Sequence, residues 1–270
     1  MSTTVTYKGQ TLTTVENQTK TLNTAGTWVE GDFTLTDVTQ GGGGEWTTEG
    51  IADLTEPNGA IQLSDMTIGE YAFRGRTGVT SLAVTDCDVA NYAFARCSGM
   101  TALTADGYCE MVGNNTFENC TGLTNVNLTA KGKFMGTNQY TGCTNMVTWK
   151  APNHGLSSTG VEMNNVQMGN GMFRGCSNLT AVDYGHANAM FANTFNGCTA
   201  LRTLVIRRST VCQAQTWNAN NFGGLFNNPT DSTIYVPQAL ISSYQTATNW
   251  SSAYSAGVTF APIDGSEYEL

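Results

Sequence analysis

One phrase returns six times in this chain of 270 residues, and it constrains the fold more than any other feature. At residues 114–128, NNTFENCTGLTNVNL, it runs from an aromatic to a cysteine three residues on, then to Leu123, Val126 and Leu128. Aligned on the aromatic, the anchors are Phe73, Phe94, Phe117, Tyr140, Phe173 and Phe195, with Phe226 as a seventh. Arg76, Cys97, Cys120, Cys143, Cys176 and Cys198 follow three residues later, and Val79, Met100, Leu123, Met146, Leu179 and Leu201 three further on. Leu82, Leu103, Val126, Trp149, Val182 and Leu204 complete each phrase.

A period of this length means a solenoid, because one unit cannot bury its own apolar face and must stack on its neighbours. The closing apolar-x-apolar pattern, as in Val126-Asn127-Leu128, is a short strand with alternate side chains inward. Each turn then adds one strand to a parallel sheet, while the aromatic and cysteine fill the coil from the return limb.

The phrase resembles the BspA-like branch of the leucine-rich repeats, whose pattern is A-F-x-x-C-x-x-L-x-x-V. Residues 92–97 (YAFARC) and 115–120 (NTFENC) match it well, and the resemblance covers roughly residues 51–236. It implies a mostly β, right-handed leucine-rich-repeat solenoid. The departures, Arg76 in place of cysteine and Asn227-Asn228-Pro229 after Phe226, lie at the two ends, where capping turns are atypical.

The eight cysteines are read as core residues, since five share one slot. Adjacent rungs would be close enough for disulfides, but no signal segment is visible in residues 1–30, which favours reduced thiols. No C-x-x-C pair suggests zinc, and no cofactor is expected. On this reading Cys120→Ser costs more than Cys120→Ala, because a buried hydroxyl lacks a partner. The net charge is −9, the 12 Lys and Arg are scattered, and no basic run points to nucleic acid. No apolar run approaches a membrane span, and no lipidation motif is present.

Four segments are expected: a β-module at 1–40, a Gly-rich tether at 41–48, the solenoid at 49–232 and a C-terminal cap at 233–270. The first is too small to be stable alone and is assigned to docking or oligomerisation. Its phrase at 22–34, LNTAGTWVEGDFT, resembles short N-terminal modules of bacteriophage virion proteins. Gly41 to Gly44 form either a flexible tether or a surface loop. In the cap, Pro237 suits a helix start, and Leu240, Tyr244 and Ala247 share one helical face. Two turns carry insertions, at 151–160 and 209–221. These project toward a binding face or are simply tolerated loop growth.

Catalytic signals are weak. His154 and His186 are the only histidines, neither accompanies a nucleophile elbow, and the acids have no metal spacing. The informative surface is the outer face of the sheet. One row holds Ala83, Thr104, Asn127, Lys150, Asp183 and Val205; the next holds Thr85, Asp106, Thr129, Pro152, Gly185 and Arg207. From these rows Asn127, Lys150, Asp183 and Arg207 are the candidate binding residues. The expectation is a non-enzymatic bacteriophage virion structural or adhesion protein. Residues 1–40 would join a virion protein as a homo-oligomer, and the solenoid would meet a host protein or polysaccharide. The alternative is a BspA-like adhesin on a bacterial cell surface, and a carbohydrate-active enzyme comes third.

Overall fold

The computed structural model describes the backbone of residues 2–7, 10–15 and 45–46, and residues 59–270 in full. The virion-like phrase at 22–34 and the glycine run at 41–44 lie outside the described residues.

Among the described residues the main sheet has eleven strands. Its order is β18 (Thr259–Pro262), β17 (Thr233–Val236), β16 (Thr203–Val205), β14 (Ala181–Asp183), β12 (Thr148–Lys150), β10 (Asn125–Leu128), β8 (Ala102–Asp106), β6 (Val79–Thr85), β4 (Gly59–Ser64), β1 (Ser2–Tyr7) and β2 (Gln10–Val15). From β4 to β18 every pairing is parallel and in step with the repeat: Leu103 lies beside Val126, and Val126 beside Trp149. β1 and β2 form an antiparallel hairpin, and β1 pairs antiparallel with β4. Strands β1 and β2 therefore extend the solenoid sheet directly, and the expected tether lies outside the described residues.

A second parallel sheet closes part of the coil, in the order β11 (Lys131–Phe134), β9 (Tyr108–Met111), β7 (Asp88–Val89), β5 (Thr67–Ile68) and β3 (Glu45–Trp46). A two-stranded parallel pair, β13 (Gln167–Met168) and β15 (Ala189–Met190), does the same further on. Cys109 in β9 and Cys87 just before β7 point inward and are buried, as are the slot cysteines and Cys212. All eight thiols are free.

Between the sheets runs an aromatic ladder. Phe73, Phe94, Phe117, Tyr140, Phe173 and Phe195 stack with ring centroids 4.9, 5.6, 5.3, 5.7 and 5.6 Å apart and planes within 9° of parallel. Offset stacks of this kind add to the gain from burying the rings. Beside it runs a sulfur ladder: each slot thiol donates to the carbonyl of the preceding turn's anchor, from Cys97 to Phe73 (3.0 Å) through to Cys198 and Phe173 (3.0 Å). Burial pushes the Cys97 and Cys198 thiols up to about 12.

The limb carrying the anchor is not a strand. The residues two before, at, and two after the anchor donate their N–H groups to the next turn, as Asn115, Phe117 and Asn119 do to Thr137, Gln139 and Thr141. Aiming every second N–H along the axis puts the two flanking residues at positive φ. Asn and Gly tolerate that region best, which accounts for Asn115, Asn119, Asn138 and Gly142.

Phe226 is not a seventh anchor. The chain turns helical at Ala219–Phe222 and Gly224–Asn227. Phe222 is buried there against Trp217 and Trp250, while Phe226 is left exposed. After β17 a 3-10 turn (Gln238–Leu240) and two short helices (Ile241–Thr246 and Trp250–Ala256) return the chain to β18. Tyr244, Trp250 and Phe260 plug the core, and Tyr254 faces outward.

Candidate binding surface

Alternation along the strands settles which side chains the outer sheet face presents. In β10, Val126 and Leu128 are buried while Asn125 and Asn127 are exposed. Thr104, Asp106, Thr129 and Lys150 are exposed on neighbouring strands. Thr148 donates to the Asn125 amide oxygen at 2.9 Å, and Thr129 to the Ala105 carbonyl at 2.9 Å, so this face carries ordered polar groups.

The two rows do not stay open along the whole solenoid. Asp183 is only 4% exposed and Val205 is fully buried, against the expectation for both. Arg207, taken as exposed, lies against Asp183: Nε donates to both carboxylate oxygens at 3.1 Å and Nη2 to Oδ2 at 2.7 Å. Nη2 also donates to the Tyr268 carbonyl at 2.7 Å, and the Tyr268 ring packs on Tyr235 at 4.8 Å. The last residues of the chain thus cross the outer face at β14 to β17. Of the four candidates, Asn127 and Lys150 share the open part of the face, and Asp183 and Arg207 form a covered ion pair.

The insertions are tied down. His154, from the first, is fully buried, and its Nδ1 accepts from the Phe134 amide at 3.0 Å. Burial and the neighbouring His186 push its pKa down to about 3, so it is a neutral core residue. Glu162 binds His186 Nδ1 at 2.8 Å and takes both the hydroxyl (2.7 Å) and the amide (2.8 Å) of Ser209 from the second insertion. Arg208 donates to the Met163 and His186 carbonyls. Burial alone would raise the Glu162 carboxyl, but the bonds from Ser209 and His186 outweigh it and the net shift is downward. Ser209 and His186 share Glu162 rather than forming a relay through the imidazole. This latch joins residues up to 47 apart, so its spacing carries no sequence signal.

Two further groups lie near the first turns. Tyr71 and Tyr92 stack at 5.2 Å with Arg74 beside both rings. Asp65, Asp86, Asp88, Tyr108 and Glu110 line a hollow of about 420 Å³. There burial, then Glu110, holds the Asp88 carboxyl above its usual range. Lys133 pairs with Glu110 at 3.1 Å. Among the described residues no group of three His, Cys, Asp or Glu is placed to hold a metal, and no helix is long and apolar enough to cross a membrane.

A family model described as "BspA type Leucine rich repeat region" matches in six copies, over residues 66–163 and 90–222. Solved structures similar to the chain include a leucine-rich repeat protein from Bacteroides ovatus ATCC 8483, at 22% identity and a TM-score of 0.42. That match covers 57% of this chain and 41% of the other, so the chain spans well under half of that relative. A leucine-rich repeat protein of T. pallidum is 15% identical with a TM-score of 0.39, covering 68% of this chain and 86% of its own. A leucine-rich cell surface protein from Faecalibacterium prausnitzii A2-165 is 12% identical with a TM-score of 0.23, covering 83% and 84%. No curated protein matches the chain.

Proposed function

Since the chain belongs to the BspA-type leucine-rich repeat family, we propose that it is a non-enzymatic adhesion protein of a bacterial cell surface. The open part of its outer sheet face, around Asn127 and Lys150, meets a protein or polysaccharide on another surface. The observation that carries this reading is the contrast between that face and the histidines. Asn127 and Lys150 stand exposed among ordered polar neighbours. His154 is sealed in the core, and His186 is occupied by Glu162. A face of amides, hydroxyls, the Asp106 carboxylate and the Lys150 ammonium suits hydrogen bonding to a polar partner.

The test is retention of labelled protein on target cells or their extracted glycans. Asn127→Ala combined with Lys150→Ala should lower retention without moving the melting midpoint; equal retention would put the contact elsewhere. Antibody against the solenoid should stain intact producing cells, and staining only after lysis would rule out the surface placement. A second setting, a bacteriophage particle entered through residues 1–40, is supported by the phrase at 22–34 alone. Proteomics of purified particles tests it, and absence of the chain from them ends it.

A further inference from the structure

Every turn places the residue two before its anchor at positive φ. In four turns this slot holds Asn115, Asn138, Gly171 and Asn193, with φ from 53° to 61°. These are the residue types that the left-handed region accepts. The first two turns hold Tyr71 (φ 63°) and Tyr92 (φ 54°) instead. A bulky side chain there is held against the local backbone preference, and such positions cluster at binding sites.

Core packing does not ask for these rings. Tyr71 is 38% exposed and Tyr92 is half-buried. They stack on each other at 5.2 Å, 16° from parallel. The Arg74 guanidinium lies 5.4 Å from one ring centroid and 5.7 Å from the other, within cation–π range. Arg96, one turn on, is exposed and also at positive φ (64°). Exposed Arg74 beside two tyrosines makes a local cationic, aromatic patch on a chain of net charge −9. Tyrosine and arginine are also the side chains most enriched where proteins grip their partners.

We propose that Tyr71, Tyr92 and Arg74 form a second binding site, one that takes an acidic polysaccharide bearing uronic-acid carboxylates. Flat amphipathic rings suit the CH-rich faces and hydroxyl edges of sugars, and a planar guanidinium pairs a carboxylate through two N–H bonds. The slot recurs at rung spacing along the solenoid axis. Asn115 and Asn138 therefore continue the track in line with the tyrosines, an arrangement that fits a repeating polymer better than a compact acidic peptide. The inference rests on the reading of the solenoid as a binding module, but it uses none of the residues of the outer sheet face.

The experiment is affinity electrophoresis of the full chain in gels containing polygalacturonate, alginate, neutral galactan or poly-glutamate. The parent should be retarded by a uronate and not by galactan. Tyr71→Asn with Tyr92→Asn installs the residue type that the slot holds elsewhere. This variant should melt no lower than the parent and bind the uronate about tenfold more weakly. Arg74→Gln should weaken uronate binding with the fold intact. A lowered midpoint with retention unchanged would make the tyrosines packing residues and overturn the proposal. Retardation by galactan equal to that by uronate, retardation by poly-glutamate alone, or none by either uronate would also overturn it. Loss of uronate binding in Asn127→Ala/Lys150→Ala but not in the tyrosine variant would do so too, while leaving the outer-face reading in place.

Discussion

Arg207 grips Asp183 across the outer sheet face through three contacts of 2.7 to 3.1 Å, and the same guanidinium holds the Tyr268 carbonyl. Removing one partner of a covered pair strands the other charge, which costs about 3–5 kcal/mol. Arg207→Ala should therefore lower stability by roughly that amount and free the last residues of the chain. Urea denaturation reads the first effect and limited proteolysis near the C-terminus the second. A loss of under about 1 kcal/mol would mean that the pair is hydrated like an ordinary surface bridge.

The sulfur ladder reverses an expectation about serine. Cys120 Sγ lies 3.1 Å from the Phe94 carbonyl, so a hydroxyl at this position has an acceptor waiting. Cys120→Ser should cost no more than Cys120→Ala, with both near 1–2 kcal/mol. Thermal melts of the two variants decide the order. Thiol titration of the native chain should find few reactive groups, because burial raises the slot thiols well above their usual range.

Acid should weaken the fold through His154. Its pKa falls from 6.5 to about 3 on burial, so between those values the unfolded chain binds the proton and the folded one does not. The stability it contributes is complete above 6.5 and is lost as the pH drops, by at most about 1.4 kcal/mol per pH unit. Glu162, lowered in the fold, adds a loss in the same direction as the pH falls through its folded pKa. Urea midpoints measured from neutral pH down should decline. His154→Leu should start lower, because Phe134 N–H loses its acceptor, and decline less steeply. A parallel decline would remove His154 from the account.

The hairpin at the start covers an edge. β1 pairs with β4 at Tyr7↔Ile61 through Thr4↔Ser64. A chain beginning at Glu45 should keep its repeat core but present the N–H and C=O groups of β4 unpaired. Bare edges recruit other strands. Light scattering should show self-association of the shortened chain, and a clean monomer would mean that β4 is protected some other way.

The repeat core was legible because a solenoid writes its packing locally. Phe117, Cys120, Leu123 and Val126 are near neighbours in sequence and share one cross-section of the coil, so spacing alone assigns them inward. The second parallel sheet was not legible, since two-residue strands such as β5 and β7 are too short to show alternation. The outer face was legible only where nothing returns to cover it. Asn127 and Lys150 follow the strand pattern, whereas Asp183 is covered by Arg207, which in turn bonds a residue 61 positions further on. Phe226 failed because continuing the period assumes another turn, and the chain had already become helical. The Tyr71 and Tyr92 slot was present in the repeat alignment, but its meaning depends on the sign of φ, which spacing does not reveal.

The hydrogen bonds that join one turn to the next all run along the solenoid axis, with β2 at one extremity of the sheet and β18 at the other. A pull applied between those extremities loads the turns in series, with ties that skip a turn, such as Ser209 to Glu162 and Arg207 to Tyr268, present in the C-terminal half. Such a body yields in steps. Peeling away one 23-residue turn, such as the one between Phe94 and Phe117, releases roughly 80 Å of slack chain before the next turn feels the full force. Stretched by flowing fluid, the protein would act as a shock absorber, lengthening turn by turn while the remaining turns keep their hold.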